Sequence, residues 1–432
     1  MKTINSLNET EDKNEKKIIL VIADLKKYRI KQLYRMGQLN SDLIIQYINS
    51  KMREGNLKPA TRASTIDRLS RLTNFHNNKS FREMTTKDIF SYLDTIRRTE
   101  IQDSMHRWIG TYNLSVTKII SFFKWLYQPE CHSYDRQVPE FLKNVRHIKR
   151  KEITTISSQD LWTTEEDSLF LKYCPDKRLK CYHIMARETA GRPHELLSLK
   201  IGEVIFRKSE EGKVYATITI GKGGKTDPRT VPIINSIPYL RDWLETEHPH
   251  GDSKEHYLFP SLNRRSFMRN KKLDTHSLNV LYSNMKRKCF PRVIEDSNII
   301  DSDKEKIREL LSKPFFPYLR RHIGISEKAR QIPDHSLRLY SGWKRSSKMP
   351  EVYTHELGDE VSNQILELEG ITTRSKQQSN VLKAKICTNC QESNKPSSKW
   401  CSCCKMILSY DSYLETLEES SKKENEIEAL IG

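Results

Sequence analysis

Nowhere in the 432-residue chain is there a run approaching the ~18–20 consecutive apolar residues of a membrane-spanning helix. The opening stretch, MKTINSLNETEDKNEKK, lacks the apolar core of a secretory signal, so residues 1–16 are expected to be a disordered N-terminus and no membrane is expected as a partner. Cysteine is scarce outside one cluster. Cys131, Cys174, Cys181 and Cys289 are scattered as ordinary buried thiols are, which argues against a disulfide framework and for a reduced, intracellular setting. Acidic charge is in deficit too: 74 Lys and Arg stand against 56 Asp and Glu, a formal net charge of +18. Such an excess attracts polyanions, because every phosphate neutralised by Lys or Arg releases counterions. Double-stranded DNA is therefore the expected partner. With 36% hydrophobic and 30% charged residues, the composition suits a globular protein of two or three domains with a polar surface.

Helical periodicity dominates residues 17–150. Ile66, Leu69 and Leu72 share one face of a helix starting near Pro59, and Thr85 or Thr86 can cap a second with Ile89, Phe90, Leu93 and Ile96 inward. The clearest period runs Tyr112, Val116, Ile119, Ile120, Phe123, Leu126, before Pro129 stops it. Between these faces Arg62, Arg68, Arg71, Lys118 and Lys124 are candidates for DNA phosphates. A charged hinge follows at 143–160. The helical pattern then resumes from Leu161, where Thr163 or Thr164 with Glu166 or Asp167 makes a capping box. Residues 213–220 alternate as a half-buried strand, GKGGKTDP (221–228) turns the chain, and RTVPI pairs back.

Three blocks carry chemistry: TAGRPHELLSLK (189–200), PYLRRH (317–322) and SGWKRSSKMPEVYTH (341–355). Guanidiniums are permanently charged and match phosphate oxygens bidentately, and a tyrosine can store a phosphodiester bond covalently without a cofactor. Arg192, an arginine at 320 or 321, and Tyr353 supply this set in order. On these blocks the chain resembles the tyrosine recombinases, the phage-integrase family, and most closely its archaeal branch.

The resemblance spans roughly residues 40–410. It implies a mainly α protein: a helical core-binding (SAM-like) DNA-clamp domain at 17–150, and an α-rich tyrosine recombinase catalytic domain with a small antiparallel sheet at 158–384. It implies as catalytic residues Arg192, a general-acid lysine on the hairpin (Lys225, with Lys222 in reserve), Tyr318, Arg321, Trp343 and the nucleophile Tyr353. Lys222 and Lys344 would add charge against DNA. Tyr318 stands where the family's His-x-x-Arg-His pattern begins with histidine, so proton transfer at that position is in question; Glu195 and His322 are expected to be structural. The implied function is a site-specific DNA recombinase or integrase acting through a 3′-phosphotyrosine, a homo-tetramer on two synapsed sites, with 356–384 as the segment exchanged between protomers. Alternatives are a type IB topoisomerase-like relaxing enzyme and a catalytically silent DNA-binding regulator. A cytoplasmic, nucleoid-associated location in a prokaryote follows from that reading.

The remaining five cysteines fall in CTNCQESNKPSSKWCSCC. Cys387-x-x-Cys390 and Cys401-x-x-Cys404 have the spacing of two knuckles around structural Zn2+, with Cys403 a spare. A zinc ribbon is expected at 385–408, with an acidic tail at 409–432. No cofactor is expected in catalysis.

Overall fold

The computed structural model describes residues 21–23, 25–55, 57–151, 156, 158–222, 228–262, 271–354, 366, 369 and 380–409. Lys225, most of the segment 356–384, and the tail beyond 409 lie outside the described residues. The chain divides into two compact units, Met1–Thr155 and Ile156–Gly432.

The first unit is helical: α1 (Lys27–Tyr34), α2 (Gln38–Glu54), α3 (Pro59–Phe75), α4 (Thr86–Asp94) and α5 (Trp108–Tyr127). Pro59 occupies the first turn of α3, where its missing N–H costs nothing. Thr85 caps α4, its side chain accepting from the Asp88 amide while Asp88 reaches back to the Thr85 amide. Tyr112, Val116, Ile119, Phe123 and Leu126 of α5 are buried as the period predicts, and the helix ends at Tyr127, two residues before Pro129. Ile66, Leu69 and Leu72 have no solvent exposure. Burial of side chains of this size is worth ~1.5–3 kcal/mol each, which is what holds α3 against its neighbours.

In the second unit, α6 (Thr164–Tyr173) is capped by Thr163 with Glu166. Then come α7 (Lys177–Thr189), the single turn α8 (Pro193–Leu196), and a three-stranded antiparallel sheet of order β1 (Val204–Lys208), β2 (Val214–Ile220), β3 (Arg229–Ile233). Ala216 pairs with Ile233 and Ile218 with Val231, which sends the apolar face of both strands into the core. Strand β1 was not expected: beyond Val204 it is exposed, so it carries no inward alternation to read. Helices α9 (Ile237–Thr246), α10 (Thr275–Asn284), α11 (Phe290–Glu295), α12 (Asp301–Ser312), α13 (Tyr318–Ala329), α14 (Asp334–Ser341) and α15 (Met349–Thr354) follow, and β4 (Lys385–Ile386) pairs with β5 (Ser393–Asn394). The described part is thus mainly α with a small three-stranded antiparallel sheet, as expected, and a two-stranded one in the cysteine segment.

Candidate active site

Helix α13 buries Leu319, Ile323 and Ile325 and crosses α7 at Gly324. A Cβ there would lie 2.1 Å from the Arg187 carbonyl oxygen, so only glycine permits the approach. The adjacent arginines of this helix meet different surroundings. Arg320 is fully buried, ion-paired with Asp167 and set 4.0 Å over the Trp162 ring. Arg321 instead donates to the carbonyls of Ala190 and Ser341, the latter at 2.7 Å. Of the two, it is Arg321 that faces Arg192, whose charge adds to burial in pulling the Arg321 guanidinium down to about 10, still cationic at neutral pH.

The reason arginines gather here lies in the end of α14. Its last carbonyls have no partner within the helix and form the negative end of its dipole. Gly342, with φ at 64°, closes the helix in the left-handed region that glycine adopts without strain. Three successive carbonyls then accept from three guanidiniums: Tyr340 from Arg229 Nε at 2.7 Å, Ser341 from Arg321 Nη2, and Gly342 from Arg192 Nη2 at 3.5 Å. Arg192 comes from the turn between α7 and α8, where Ala190 holds a positive φ of 48° and thereby aims its carbonyl at Arg321. Glu195, one turn into α8, accepts from the Arg192 amide and guanidinium (2.9 Å each) and from Arg229 Nη2 (3.0 Å). Burial opposes ionisation of Glu195, but Arg229 and the Arg192 hydrogen bonds outweigh it and hold the carboxyl at about 2. Glu195 is thus a spacer between guanidiniums, consistent with an orienting role.

Tyr353 of α15 enters the same neighbourhood. It is 7% exposed, and its ring lies between Trp343 (5.6 Å, 30°) and His322 (5.8 Å, 27°). Its hydroxyl lies 2.8 Å from His322 Nδ1. Burial pushes the phenol up to about 12 although Arg321 and Arg192 pull the other way. His322 is depressed to about 4 by burial and by Arg321, so its ring is neutral at pH 7. Tyr318 sits at the rim, 40% exposed, 5.2 Å from the His322 ring.

Arg192, Tyr318, Arg321, Trp343 and Tyr353 are therefore brought together. Lys344 is exposed nearby in sequence. Lys222, on the β2–β3 hairpin, is exposed and paired with Glu203 at 2.5 Å. Two residues of the site were not expected in it: Arg229, within a segment read only as a pairing strand, and His322, read as structural.

In the helical unit, Arg62 needs correction as a phosphate contact. It is 4% exposed and donates to the Val21 carbonyl at 3.0 Å, so its charge is spent inside. Arg68 lines a cavity of about 540 Å³ with Arg71, Arg98, Phe75, Tyr92 and Trp108. Lys118 is half-buried, and desolvation lowers its pKa.

The four cysteines of the predicted knuckles converge, with every Sγ within 4.8 Å of the others. Each knuckle has the same turn: the Gln391 amide donates to Cys387 and the Lys405 amide to Cys401, at 2.9 and 3.0 Å, with positive φ at both turn residues. A metal–sulfur distance of about 2.3 Å places tetrahedral sulfurs roughly 3.8 Å apart, and the Cys387–Cys404 and Cys390–Cys401 pairs at 3.5 Å fit that cage. Cys403 is exposed and outside it. The knuckles lean on α9, where Lys395 pairs with Asp242 and Glu392 with Arg241, while Leu382 joins the main core.

No family model and no curated protein matches the sequence. Solved structures similar to the chain are site-specific recombinases and integrases. A XerH site-specific recombinase bound to its difH substrate is 13% identical, covering 80% of this chain and 90% of that one at a TM-score of 0.47. A lambda integrase dimer on a COC′ core site is 11% identical, covering 81% and 86% at 0.48. The Tn1549 transposon integrase with circular intermediate DNA is 14% identical, covering 75% and 98% at 0.47. At such identities the chemistry has to be read from this chain's own side chains.

Proposed function

We propose that the chain is a tyrosine site-specific recombinase that cuts and rejoins double-stranded DNA through a 3′-phosphotyrosine at Tyr353. The observation that carries this reading is the gathering of Arg192, Arg229 and Arg321 on the carbonyls of one helix end, beside a tyrosine whose hydroxyl feels two of them. Preorganised charge of this kind is what a pentacoordinate phosphorus transition state needs. Arg192 and Arg321 would take the non-bridging oxygens, Tyr318 and the Trp343 indole would donate further hydrogen bonds, and a hairpin lysine, Lys225 or Lys222, would protonate the leaving 5′-oxygen. Arg68, Lys118 and Lys344 would contact the DNA backbone. Action on two synapsed sites by a homo-tetramer belongs to the same reading, as does a nucleoid setting. The cysteine cage would hold a structural zinc ion, which cross-links the ribbon and takes no part in strand cleavage.

The test is trapping of covalent adducts on sheared genomic DNA that includes the gene's own flanks, comparing wild type with Tyr353→Phe. Adducts in wild type alone, mapping to one or a few sites, are expected. Adducts scattered over all sequences would instead indicate a relaxing topoisomerase. Tight binding without any adduct would leave a DNA-binding regulator.

A further inference from the structure

Tyr353 rests as a buried, neutral phenol, and a neutral phenol is a poor nucleophile toward phosphorus. Some group must accept its proton. Among the described residues, the groups facing the hydroxyl are Arg321 and Tyr318 on α13, Arg192 from the α7–α8 turn, Trp343 after α14, and His322. Guanidiniums carry no acceptor, and an indole nitrogen only donates. Tyr318, a second phenol at the rim, is too weak a base. His322 is left. Its Nδ1 lies 2.8 Å from the Tyr353 hydroxyl, within the reach required of a general base, and the ring is neutral, so one nitrogen carries a free lone pair.

Resting on the reading of Tyr353 as nucleophile, we propose that His322 is the catalytic residue that takes the Tyr353 proton, and that a DNA phosphate bound at Arg321 switches it on. As Tyr353 Oη attacks, its proton passes to His322 Nδ1, the Oη–P bond forms and the P–O5′ bond breaks, with the leaving oxygen protonated by the hairpin lysine. In rejoining, the 5′-hydroxyl returns its proton to the hairpin lysine as the P–O5′ bond re-forms, and the protonated imidazole returns its proton to Oη as the Oη–P bond breaks. The switch follows from what weakens the base in the free protein: burial, and then the uncompensated Arg321 charge one residue away. A phosphodiester carries the charge that cancels Arg321, with Arg192 beside it, so basicity rises where the substrate has arrived. Without DNA, burial keeps Tyr353 protonated and unreactive.

The cleavage test uses the full-length protein and the DNA fragment mapped by adduct trapping. His322→Gln keeps a polar partner for the hydroxyl yet cannot take its proton. It is expected to form adducts ~10²–10³-fold more slowly with fragment binding unchanged, within the range for loss of a general base. Added imidazole is expected to restore part of the rate in His322→Ala. Cleavage by His322→Gln at the wild-type rate would overturn the proposal, as would a loss in His322→Ala that imidazole leaves untouched. A second arm needs no DNA. In ¹⁵N-histidine-labelled protein, the His322 resonances, assigned by their disappearance in His322→Gln, should show an unprotonated Nδ1 that shifts on Tyr353→Phe. A protonated Nδ1, or one indifferent to Tyr353→Phe, would overturn the proposal by itself. Absence of adducts from wild type on every DNA would sink the recombinase reading instead, and the resonance arm would still decide the hydrogen bond.

Discussion

Two arginine networks flank α13, one around Arg320 and one around Arg321, and they balance charge differently. Around Arg320, two guanidiniums (Arg320, Arg187) meet two carboxylates (Asp167, Glu327), and the net charge is zero. His183 completes that set as a neutral ring: it stacks on Phe170 at 4.0 Å, bonds Asp167 at 2.8 Å, and burial drives its pKa far down. Around Arg321, three guanidiniums (Arg192, Arg229, Arg321) stand with one carboxylate, Glu195, which bonds Arg192 and Arg229 while Arg321 bonds backbone carbonyls, and the net charge is +2. The first network is closed and the second is short of anions, its surplus borne only by helix-end carbonyls. Neighbouring residues of one sequence thus divide between a charge-balanced ion-pair network and one that keeps a surplus of positive charge.

The largest effects should come from exchanging these roles. Asp167→Ala leaves buried guanidiniums uncompensated and is expected to cost ~3–5 kcal/mol of stability, seen as a lower thermal midpoint of the second unit. Arg321→Ala leaves two carbonyls without a donor but also removes a surplus charge, so it should lower that midpoint less than Asp167→Ala does, and slow adduct formation by ~10²–10³, the usual loss for one transition-state donor. A double variant sharpens the contrast. Asp167→Leu with Arg320→Met replaces an ion pair by apolar volume and leaves Arg187 with Glu327, so both stability and cleavage should survive. Cleavage lost in that double variant while it remains folded would mean that the closed network takes part in chemistry, and the division would fail.

Much of this was legible in sequence. The α5 period, the Pro59 start, the Thr163 cap and the paired Cys-x-x-Cys turns are local patterns, decided within a few residues. Arg192 and Tyr353 stood out because their blocks are short and ordered, whereas Arg321 is preferred to Arg320 only through the resemblance. What stayed hidden depends on distant parts of the chain. Arg229 opens a strand, and only the α14 carbonyl, 111 residues on, reveals its purpose. His322 acquires meaning when α15 folds back 31 residues later. Arg62 misled because it falls between apolar positions of α3, where a solvated face is expected, yet its head reaches a carbonyl at Val21.

Next in size is an effect of pH on the open network. The Glu195 carboxyl is held at about 2, against ~4.3 for a glutamate in the unfolded chain. A depressed folded value means that its stabilisation is complete above the unfolded pKa and is lost as pH falls toward 2. Wild type should therefore lose thermal stability more steeply than Glu195→Gln between about pH 4.3 and 2, while the variant starts lower at pH 7 because three guanidiniums then share no carboxylate. Parallel midpoint-versus-pH curves for the two proteins would show that Glu195 does not compensate the cluster.

The smallest expected effect carries the same contrast into the helical unit. Arg62 is buried on a backbone carbonyl, whereas Arg68 lines an open cavity among other arginines and aromatic rings. A guanidinium whose charge is used inside cannot release counterions on DNA binding; one at the surface can. Arg62→Ala should lower the thermal midpoint of this unit and leave the salt dependence of DNA affinity as it was. Arg68→Ala should leave the midpoint close to wild type and reduce the slope of log affinity against log salt by about one, uniformly across DNA sequences. Titration of each variant with one DNA fragment over a series of salt concentrations measures both slopes. An unchanged slope for Arg68→Ala would place the DNA on another face of the helices, and a reduced slope for Arg62→Ala would mean that its buried head is released when DNA binds.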